Sequence, residues 1–331
     1  MSEATPCDPL PLVTVCIPTV NRIQYLEQAL ASVTSQTVLD WDILVGDNSG
    51  DVDYAEAVDE LVARFAQRVP NSIRVLHQPS QLSAIEHFDR LFTSAPGVYV
   101  LLLADDDRMR PECLDHLTRS VRADPAVDLV FSDHWVIGTD GSVDKATTEL
   151  FASAYGRKRL TSGRLSRSAA IAAALRSSMM LQAMLIRKSV LAETPLRMDR
   201  ARVADFDLQL RLAMRNPPLH IVYCAQRLVE YRVHTGQFTG ESSSADQRRQ
   251  FHRDFLASLG SAANFPRELQ PQYRRLAAEH EFALAGCHAE LREWREWWGH
   301  SVAAVGTDPR FVRSYLAFVR PLIPRQSRAR K

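Results

Sequence analysis

The stretch GVYVLLLADDDRMRPECL, residues 97–114, is the part of the sequence that decides the fold. It contains the most apolar run in the chain, 98–104, and a short apolar run of this kind is typical of a strand buried on both faces of a parallel sheet. Three adjacent carboxylates, 105–107, follow the run, and Pro111 then stands where a helix accepts proline, in its first turn. We therefore expect a central strand that ends in an acidic cluster and leads into a helix.

Four further strand-like runs occur in the first half of the chain. They are short and apolar: LVTVCI (12–17), WDILVG (41–46), SIRVLH (72–77) and VDLVFSD (127–133). Between them, apolar residues recur at helical spacing. Strands that alternate with helices imply right-handed βαβ units, so we predict an α/β fold with a Rossmann-like, mostly parallel sheet flanked by helices.

The second half of the chain has a looser pattern. We predict a polar loop over 142–165, a strand over 179–186, a helix over 203–215 and two short strands, 220–224 and 227–233. From about Glu241 the sequence is helical to its end, so we place a boundary near residue 240.

The composition excludes several classes of protein. With 331 residues, 46% of them hydrophobic and 24% charged, the chain is globular rather than disordered. Its formal net charge of +1 provides no basic field, so we expect no nucleic-acid partner. The sequence has no GxGxxG, GxxxxGK, HExxH or GxSxG motif. Five scattered cysteines, short apolar runs and an N-terminus without a signal-peptide pattern predict a reduced, cytoplasmic protein.

Acidic residues follow three of the predicted strands. Asp47 follows the second strand, the cluster 105–107 follows the central one, and Asp133 follows the fifth. Ligands of open parallel sheets bind beyond the carboxyl ends of the strands. One of the clustered carboxylates could cap the next helix instead, but three adjacent carboxylates repel one another. A hard divalent cation with oxygen ligands would relieve that repulsion, so we predict a metal site.

The chain resembles the nucleotide-binding half of family 2 glycosyltransferases, which have the GT-A fold. Three stretches carry the resemblance, in this order: VTVCIPTVNRIQYLEQALASVTSQT, WDILVGDNSGD and GVYVLLLADDDRMRPECL. The resemblance covers about residues 11–235. It implies a catalytic domain over 1–240, with a nucleotide-binding half of about 11–135 and an acceptor half of about 136–240, followed by a helical C-terminal region, 241–331.

The resemblance assigns several residues to nucleotide binding. The family's first strand leads to a Pro-Thr pair beside the nucleotide, which is matched by Pro18 and Thr19, and Asn21 belongs to the same loop. The family's acid after the second strand contacts the pyrimidine ring and is matched by Asp47.

The acidic cluster is similar to the family's DxD motif, which contacts the ribose and the metal. In many members the motif reads Asp-x-Asp-Asp, and Ala104 takes the first acidic position here. The resemblance then implies that Asp105 serves the ribose and Asp106 the metal, with Asp107 as the other metal candidate. The implied cofactor is Mn²⁺ or Mg²⁺.

The segment ADFDLQLRLA, 204–213, resembles the family's Glu-Asp-Tyr-Asp-Leu segment, which contains the general base of inverting members. Asp205 takes the position of that base, while Ala204 replaces the preceding Glu. The alternative for Asp205 is helix capping.

A last segment, YRVHTGQFT (231–239), resembles the family's Tyr-Arg-x-His segment, which closes over the diphosphate. Arg232 is therefore a candidate for phosphate contact and His234 for metal contact. The alternative for His234 is an ordinary surface histidine.

Together the motifs imply a metal-dependent inverting glycosyltransferase that moves a sugar from a UDP- or dTDP-sugar to an acceptor hydroxyl, in bacterial glycan or glycosylated-metabolite assembly. A sugar nucleotidyltransferase is a second interpretation, disfavoured because CIPTVNR stands where a Gly-rich phosphate loop would be. A third is a catalytically silent nucleotide-binding scaffold, and Ala104 and Ala204 in normally acidic positions favour it.

The C-terminal region combines aromatic and basic residues. Leu291, Trp294 and Trp298 share one helical face. The end of the chain is basic, with Arg320, Arg325, Arg328, Arg330 and Lys331. Ordinary helix packing explains this pattern. The functional alternative is a peripheral contact with an anionic membrane, at its inner face, where the acceptor would be lipid-linked.

Overall fold

A computed structural model of the chain describes residues 11–234 and 244–310. Its strands are β1 Val13–Thr19, β2 Trp41–Asp47, β3 Ile73–His77, β4 Tyr99–Leu102, β5 Arg108–Met109, β6 Leu129–Ile137, β7 Gly163–Arg164, β8 Met184–Arg187 and β9 Ile221–Arg232. Its α-helices are α1 Ile23–Thr34, α2 Val52–Ala66, α3 Ala84–Ser94, α4 Cys113–Ala123, α5 Lys145–Ala154, α6 Arg167–Ala174, α7 Lys188–Glu193, α8 Ala204–Ala213, α9 Ala245–Leu259, α10 Gln270–Glu290 and α11 Trp294–Thr307.

The strands of the described chain form one mixed sheet in the order β3-β2-β1-β4-β8-β6-β9-β5, with β7 paired to β9. The strands β1 to β4 are mutually parallel, whereas β8 runs antiparallel to both of its neighbours, β4 and β6. The predicted α/β fold with a mostly parallel sheet is therefore confirmed, and β4 lies near the middle of the sheet as expected.

The core lies on the parallel strands and the helices that cover them. Val15 and Ile17 of β1 and Leu101 of β4 have no solvent exposure, and Leu26 and Leu30 of α1 belong to the same buried cluster. Full burial of one such side chain contributes roughly 1.5–3 kcal/mol. The apolar strand pattern thus provides the energy that holds the carboxyl ends of the strands in place.

Close packing of α3 on β2 depends on a glycine. A Cβ atom at Gly46 would lie 2.6 Å from Nε2 of His87, which contacts the Gly46 carbonyl oxygen at 3.1 Å. Ser83 begins α3 through a capping box with Glu86. The absence of a side chain at Gly46 therefore lets α3 pack closely against the end of β2.

The predicted polar loop over 142–165 is wrong in its first part, which folds as α5. Asp144 begins this helix by accepting a hydrogen bond from the Thr147 amide. The buried face consists of small residues, Thr148 and Ala152, whereas Leu150 is 64% exposed. The apolar periodicity that predicts a helix is therefore missing from the sequence.

The two short strands predicted over 220–224 and 227–233 form the single strand β9. It pairs in parallel with β6, and the register shifts on both sides of Asp133. This irregularity accommodates the exposed pair Ala225 and Gln226, which interrupt the apolar pattern.

The described chain divides into two compact units. The first comprises residues up to Met198 with Arg211–Thr235, and the second comprises Asp199–Leu210 with the residues from Gly236 onward. In the second unit, helical as predicted, the Phe255 ring stacks on Phe206 at 3.8 Å and on His280 at 3.6 Å. No helix within the two described ranges has the length and apolarity that crossing a membrane requires.

Candidate functional site

The parallel strands bring their carboxyl ends to one edge of the first unit. Thr19 is the last residue of β1 and pairs in register with Asp47, the last residue of β2. Pro18 lies one position earlier in β1. Asp105 follows β4, and its Oδ2 accepts a hydrogen bond of 2.8 Å from the Thr19 hydroxyl. Burial and the neighbouring Asp106 charge raise the pKa of Asp105 to about 6.

The loop after β1 turns sharply and directs a guanidinium toward the acidic cluster. Asn21 has φ +53°, a left-handed conformation that asparagine tolerates. The next amide, of Arg22, donates to the Tyr54 hydroxyl at 3.1 Å, and that hydroxyl contacts the Thr19 hydroxyl at 2.6 Å. Arg22 Nη1 then lies 3.5 Å from Oδ1 of Asp105.

Asp106 is the meeting point of this loop and the end of β9. Its Oδ2 lies 2.9 Å from Nη1 of Arg22 and 2.9 Å from Nε2 of His234. The Arg22 side chain is 33% exposed, whereas the His234 side chain is 9% exposed. The arrangement places two cationic or metal-ligating groups on one carboxylate oxygen.

Asp107 points into the protein. Its Oδ1 accepts a hydrogen bond of 2.8 Å from the Arg232 amide, and its buried Oδ2 has no hydrogen-bond partner within residues 11–234 and 244–310. Burial and the Asp106 charge raise the pKa of Asp107 well above its usual range. Asp107 therefore ties the acidic cluster to β9.

The Arg232 guanidinium is buried and bonded within the chain. It donates to the main-chain oxygens of Asp106, Gly138 and Thr139 and to the side chain of Gln28. It also lies 4.9 Å above the Tyr25 ring. These bonds hold the cluster, the loop after β6 and α1 together, and they fix the strand end that carries His234.

The distance between the two potential ligand atoms, Asp106 Oδ2 and His234 Nε2, fits coordination of one octahedral cation. Neighbouring ligands at about 2.1 Å from such a cation lie about 3 Å apart, close to the 2.9 Å that separates Asp106 Oδ2 from His234 Nε2. In the described part of the chain no group of three or more His, Cys, Asp or Glu side chains is placed to hold a metal ion. A cation here therefore needs further ligands, such as phosphate oxygens or water.

Asp47 is buried at the end of β2, with both carboxylate oxygens engaged. Oδ1 accepts a hydrogen bond of 2.9 Å from the Ser49 amide, and Oδ2 lies 3.0 Å from Nδ1 of His77. The carboxylate therefore has a fixed orientation.

Asp205 belongs to the second unit and is described with it. It lies in the first turn of α8. Part of the residue is exposed to solvent. Protein atoms nevertheless surround its carboxyl group, and the desolvation that they cause raises the pKa of that group to about 6. The first unit brings together the predicted nucleotide and metal residues, whereas Asp205 belongs to the second unit.

Sequence reasoning missed two residues of the site and misplaced another. The sequence offered a signal for Arg22, since a basic residue directly follows the loop motif. Tyr54 lies in the first turn of α2, and no sequence feature marked it as a site residue. Asp133 does not follow its strand: it lies within β6, buried, 2.5 Å from Nε of Arg157. The strand runs on to Ile137, past the polar residues that marked its predicted end.

Curated relatives match part of the chain. An uncharacterized glycosyltransferase of Nostoc sp. is 26% identical over 137 residues, which are 41% of this chain and 41% of that protein. The chondroitin synthase of Pasteurella multocida is 22% identical over 134 residues, which are 40% of this chain and 13% of the synthase. The match thus spans less than half of either relative.

Two solved structures have the same fold. S. aureus TarS 1-349 in complex with UDP-GlcNAc has a TM-score of 0.57 at 12% identity and covers 88% of this chain and 90% of that one. The mannosyltransferase PcManGT from Pyrobaculum calidifontis, in complex with GDP-Man and Mn²⁺, has a TM-score of 0.56 at 14% identity and covers 96% and 89%. At these identities the likeness concerns the fold alone, and it confirms the predicted GT-A architecture.

The family assignment rests on a direct match. Residues 14–180, half of the chain, match the model of glycosyl transferase family 2. This range begins at the second residue of β1 and contains β2, β4 and the acidic cluster. The chain therefore belongs to glycosyl transferase family 2, as the sequence motifs predicted.

Proposed function

We propose that the protein is a metal-dependent, inverting glycosyltransferase that moves a sugar from a UDP- or dTDP-sugar to an acceptor hydroxyl, in the assembly of a bacterial glycan or glycosylated metabolite. The observation that carries the proposal is the convergence of Arg22, Asp106 and His234 within 2.9 Å contacts at the carboxyl edge of the sheet. A carboxylate that can bind a cation and a guanidinium that can bind phosphate oxygens are the groups that a bound diphosphate would need. The ligands UDP-GlcNAc and GDP-Man in the two similar structures support a nucleotide-sugar donor.

The donor would lie along the edge formed by β1, β2 and β4. Asp47 would accept a hydrogen bond from the ring N–H of the pyrimidine, and Asp105, held by Thr19, would accept from the ribose hydroxyls. Pro18 and Asn21 would line the same pocket. Arg22 would move from Asp106 to the diphosphate, because a phosphate binds a guanidinium through two parallel hydrogen bonds.

Asp106 and His234 would hold Mn²⁺ or Mg²⁺, with Asp107 behind them. The bound cation supplies Lewis-acid neutralisation of the leaving diphosphate. Arg232 would keep this set in place through its hydrogen bonds to the Asp106 main chain and the loop after β6. Direct contact of Arg232 with phosphate stays a prediction of the family resemblance.

Asp205 would act as the general base. A carboxylate with a pKa near 6 is ionised at neutral pH and can accept the proton of the attacking hydroxyl. The acceptor oxygen would form its bond to the anomeric carbon as the bond to the diphosphate oxygen breaks. A single displacement of this kind inverts the anomeric configuration.

Binding and turnover test the proposal in two steps. Thermal unfolding with UDP, dTDP, GDP and CDP, each with and without Mn²⁺, is expected to give metal-dependent stabilisation by UDP or dTDP. Slow hydrolysis of a matching sugar nucleotide should follow. Nucleotide binding without any turnover would favour a silent scaffold. Release of pyrophosphate when a nucleoside triphosphate reacts with a sugar phosphate would favour a nucleotidyltransferase.

We also propose that α11 contacts an anionic lipid surface on the cytoplasmic side of a membrane, where a lipid-linked acceptor would be presented. Trp294, Trp298 and Val302 recur at every fourth position and are 55%, 49% and 45% exposed. Residues 311–331 lie outside the described residues, and their sequence contains Arg and Lys but no Asp or Glu. Vesicles containing phosphatidylglycerol should therefore co-sediment the protein, and the double variant Trp294→Ser/Trp298→Ser should stay in solution.

A further inference from the structure

His77 bridges two carboxylates at the edge of the sheet. It is the last residue of β3, and its Nδ1 lies 3.0 Å from Oδ2 of Asp47 while its Nε2 lies 3.0 Å from Oδ1 of Asp59. A neutral imidazole has one N–H group, whereas two hydrogen bonds to carboxylates need two. The position of a carboxylate oxygen at each ring nitrogen therefore favours an imidazolium, although the His77 side chain is 35% exposed.

Charged and titratable groups on β2, α2 and α3 interact with this bridge. Asp47 on β2 and Asp59 on α2 face the His77 ring. Tyr54 of α2 and the buried His87 of α3 also interact electrostatically with Asp47, and desolvation lowers the pKa of His87 so that it stays neutral. Of these groups, His77 is the one whose ring contacts the Asp47 carboxylate in the described part of the chain.

We propose that His77 is a positioning residue for nucleobase recognition, which holds the Asp47 carboxylate in one orientation as a hydrogen-bond acceptor and so makes the site select bases with a ring N–H over bases with an acceptor nitrogen. The inference rests on the proposed function, in which Asp47 meets the base. Uracil and thymine present an N–H at N3, whereas cytosine presents a lone pair there. An ionised carboxylate can accept a hydrogen bond but cannot donate one.

The bridge also makes this selectivity depend on pH. Burial lowers the pKa of His77, but the hydrogen bonds to Asp47 and Asp59 outweigh it and raise the pKa above the usual 6.5. His77 is therefore charged at pH 6.5 and loses its proton as pH rises through the raised value. Loss of that proton removes one of the two N–H groups and weakens the hold on Asp47.

The test is calorimetric titration of UDP and CDP, at constant Mg²⁺, between pH 6.5 and 8.5. In the wild-type protein we expect UDP to bind better than CDP and its affinity to fall as pH rises. In His77→Gln we expect UDP affinity at pH 6.5 to be about fivefold lower, with a flatter pH dependence and a smaller UDP/CDP ratio. His116→Gln, the same change on α4, should behave as the wild type.

Asp59→Asn provides a second variant that leaves both the histidine and Asp47 in place. Without the second carboxylate the pKa of His77 falls, so the loss of UDP affinity should move to lower pH. The role of His77 would be overturned if a folded His77→Gln or Asp59→Asn protein kept the wild-type affinity, selectivity and pH dependence. That outcome would leave the proposed function intact. A wild-type protein that binds no nucleoside diphosphate at any pH would refute both.

Discussion

Nε2 of His234 and Oδ2 of Asp106 lie 2.9 Å apart, although the two residues are 128 positions apart in the sequence. Oδ2 also contacts Arg22, so a strand end, a post-strand cluster and the first loop meet at one oxygen atom. Among the three adjacent carboxylates, Asp106 is the one that contacts His234, because Asp105 bonds to Thr19 and Asp107 to the Arg232 amide.

We predict that Asp106→Asn abolishes Mn²⁺-dependent UDP binding while the protein stays folded. The amide lacks the charge that a hard cation requires, and the remaining ligand His234 cannot hold it alone. Calorimetric titration of UDP with and without Mn²⁺ measures the effect. Asp115→Asn, which breaks an exposed i,i+4 pair with Arg119, is the control. Unchanged affinity of Asp106→Asn for UDP in both conditions would contradict the site assignment.

Arg22→Gln is expected to change metal and nucleotide binding in opposite directions. Removing the guanidinium takes the competing cation from Asp106 Oδ2 and leaves His234 as its partner, so Mn²⁺ alone should bind several-fold tighter. UDP in the presence of Mn²⁺ should bind about tenfold more weakly, because a charge-assisted bond to the diphosphate is lost. Electron paramagnetic resonance of Mn²⁺ and UDP titration measure the two effects. The control Arg64→Gln, which breaks an exposed pair with Glu27, should change neither affinity. If both affinities changed in the same direction in Arg22→Gln, Arg22 would not move from Asp106 to the diphosphate.

Asp47→Ala should weaken donor binding without slowing the chemical step. A hydrogen bond between a carboxylate and a ring N–H contributes roughly 1.5–3 kcal/mol, so KM for the donor should rise about 10- to 100-fold. The rate at saturating donor should stay near that of the wild type. Steady-state kinetics over a wide donor range separates the two parameters, and an unchanged KM would place the nucleobase elsewhere.

Asp205→Asn should reduce turnover by roughly 10²–10⁴ while UDP affinity is retained, because proton transfer to a positioned side chain typically contributes that much. Asparagine caps helices about as well as aspartate, so a purely structural role predicts near-normal activity. The pH dependence gives a second test. The base works when it is deprotonated, and its pKa is raised to about 6, so wild-type turnover should fall as pH drops through 6. Retained anomeric configuration in the product would contradict the mechanism.

Arg157→Met should destabilise the fold by about 3–5 kcal/mol, since it leaves a buried carboxylate without its main partner. Arg157 and Asp133 are both buried, and their closest atoms lie 2.5 Å apart. Urea unfolding measures the loss. The double variant Asp133→Leu/Arg157→Met removes both charges and should regain much of the stability. A double variant no more stable than the single one would mean that the pair contributes more than charge compensation.

Much of the nucleotide edge follows from local patterns. The apolar runs that become β1, β2 and β4 are buried on both faces, and such runs pair in parallel when helices connect them. Residues at their carboxyl ends then share one edge whatever the details of packing. For this reason Asp47 and the cluster 105–107 could be placed together from periodicity, and the family motifs added Thr19, Arg232 and His234.

Other features depend on contacts between distant segments and have no local signal. The helix α5 buries Thr148 and Ala152, small residues that leave no apolar period to detect. Asp133 looks like a residue beyond a strand, yet pairing with β9 extends β6 past it and Arg157 neutralises it. The choice among Asp105, Asp106 and Asp107 needed the partners that each carboxylate meets. Short-range periodicity indicates which face of a segment is buried. The partner of a charged side chain depends instead on which other segments pack against it. That information is distributed over the whole chain.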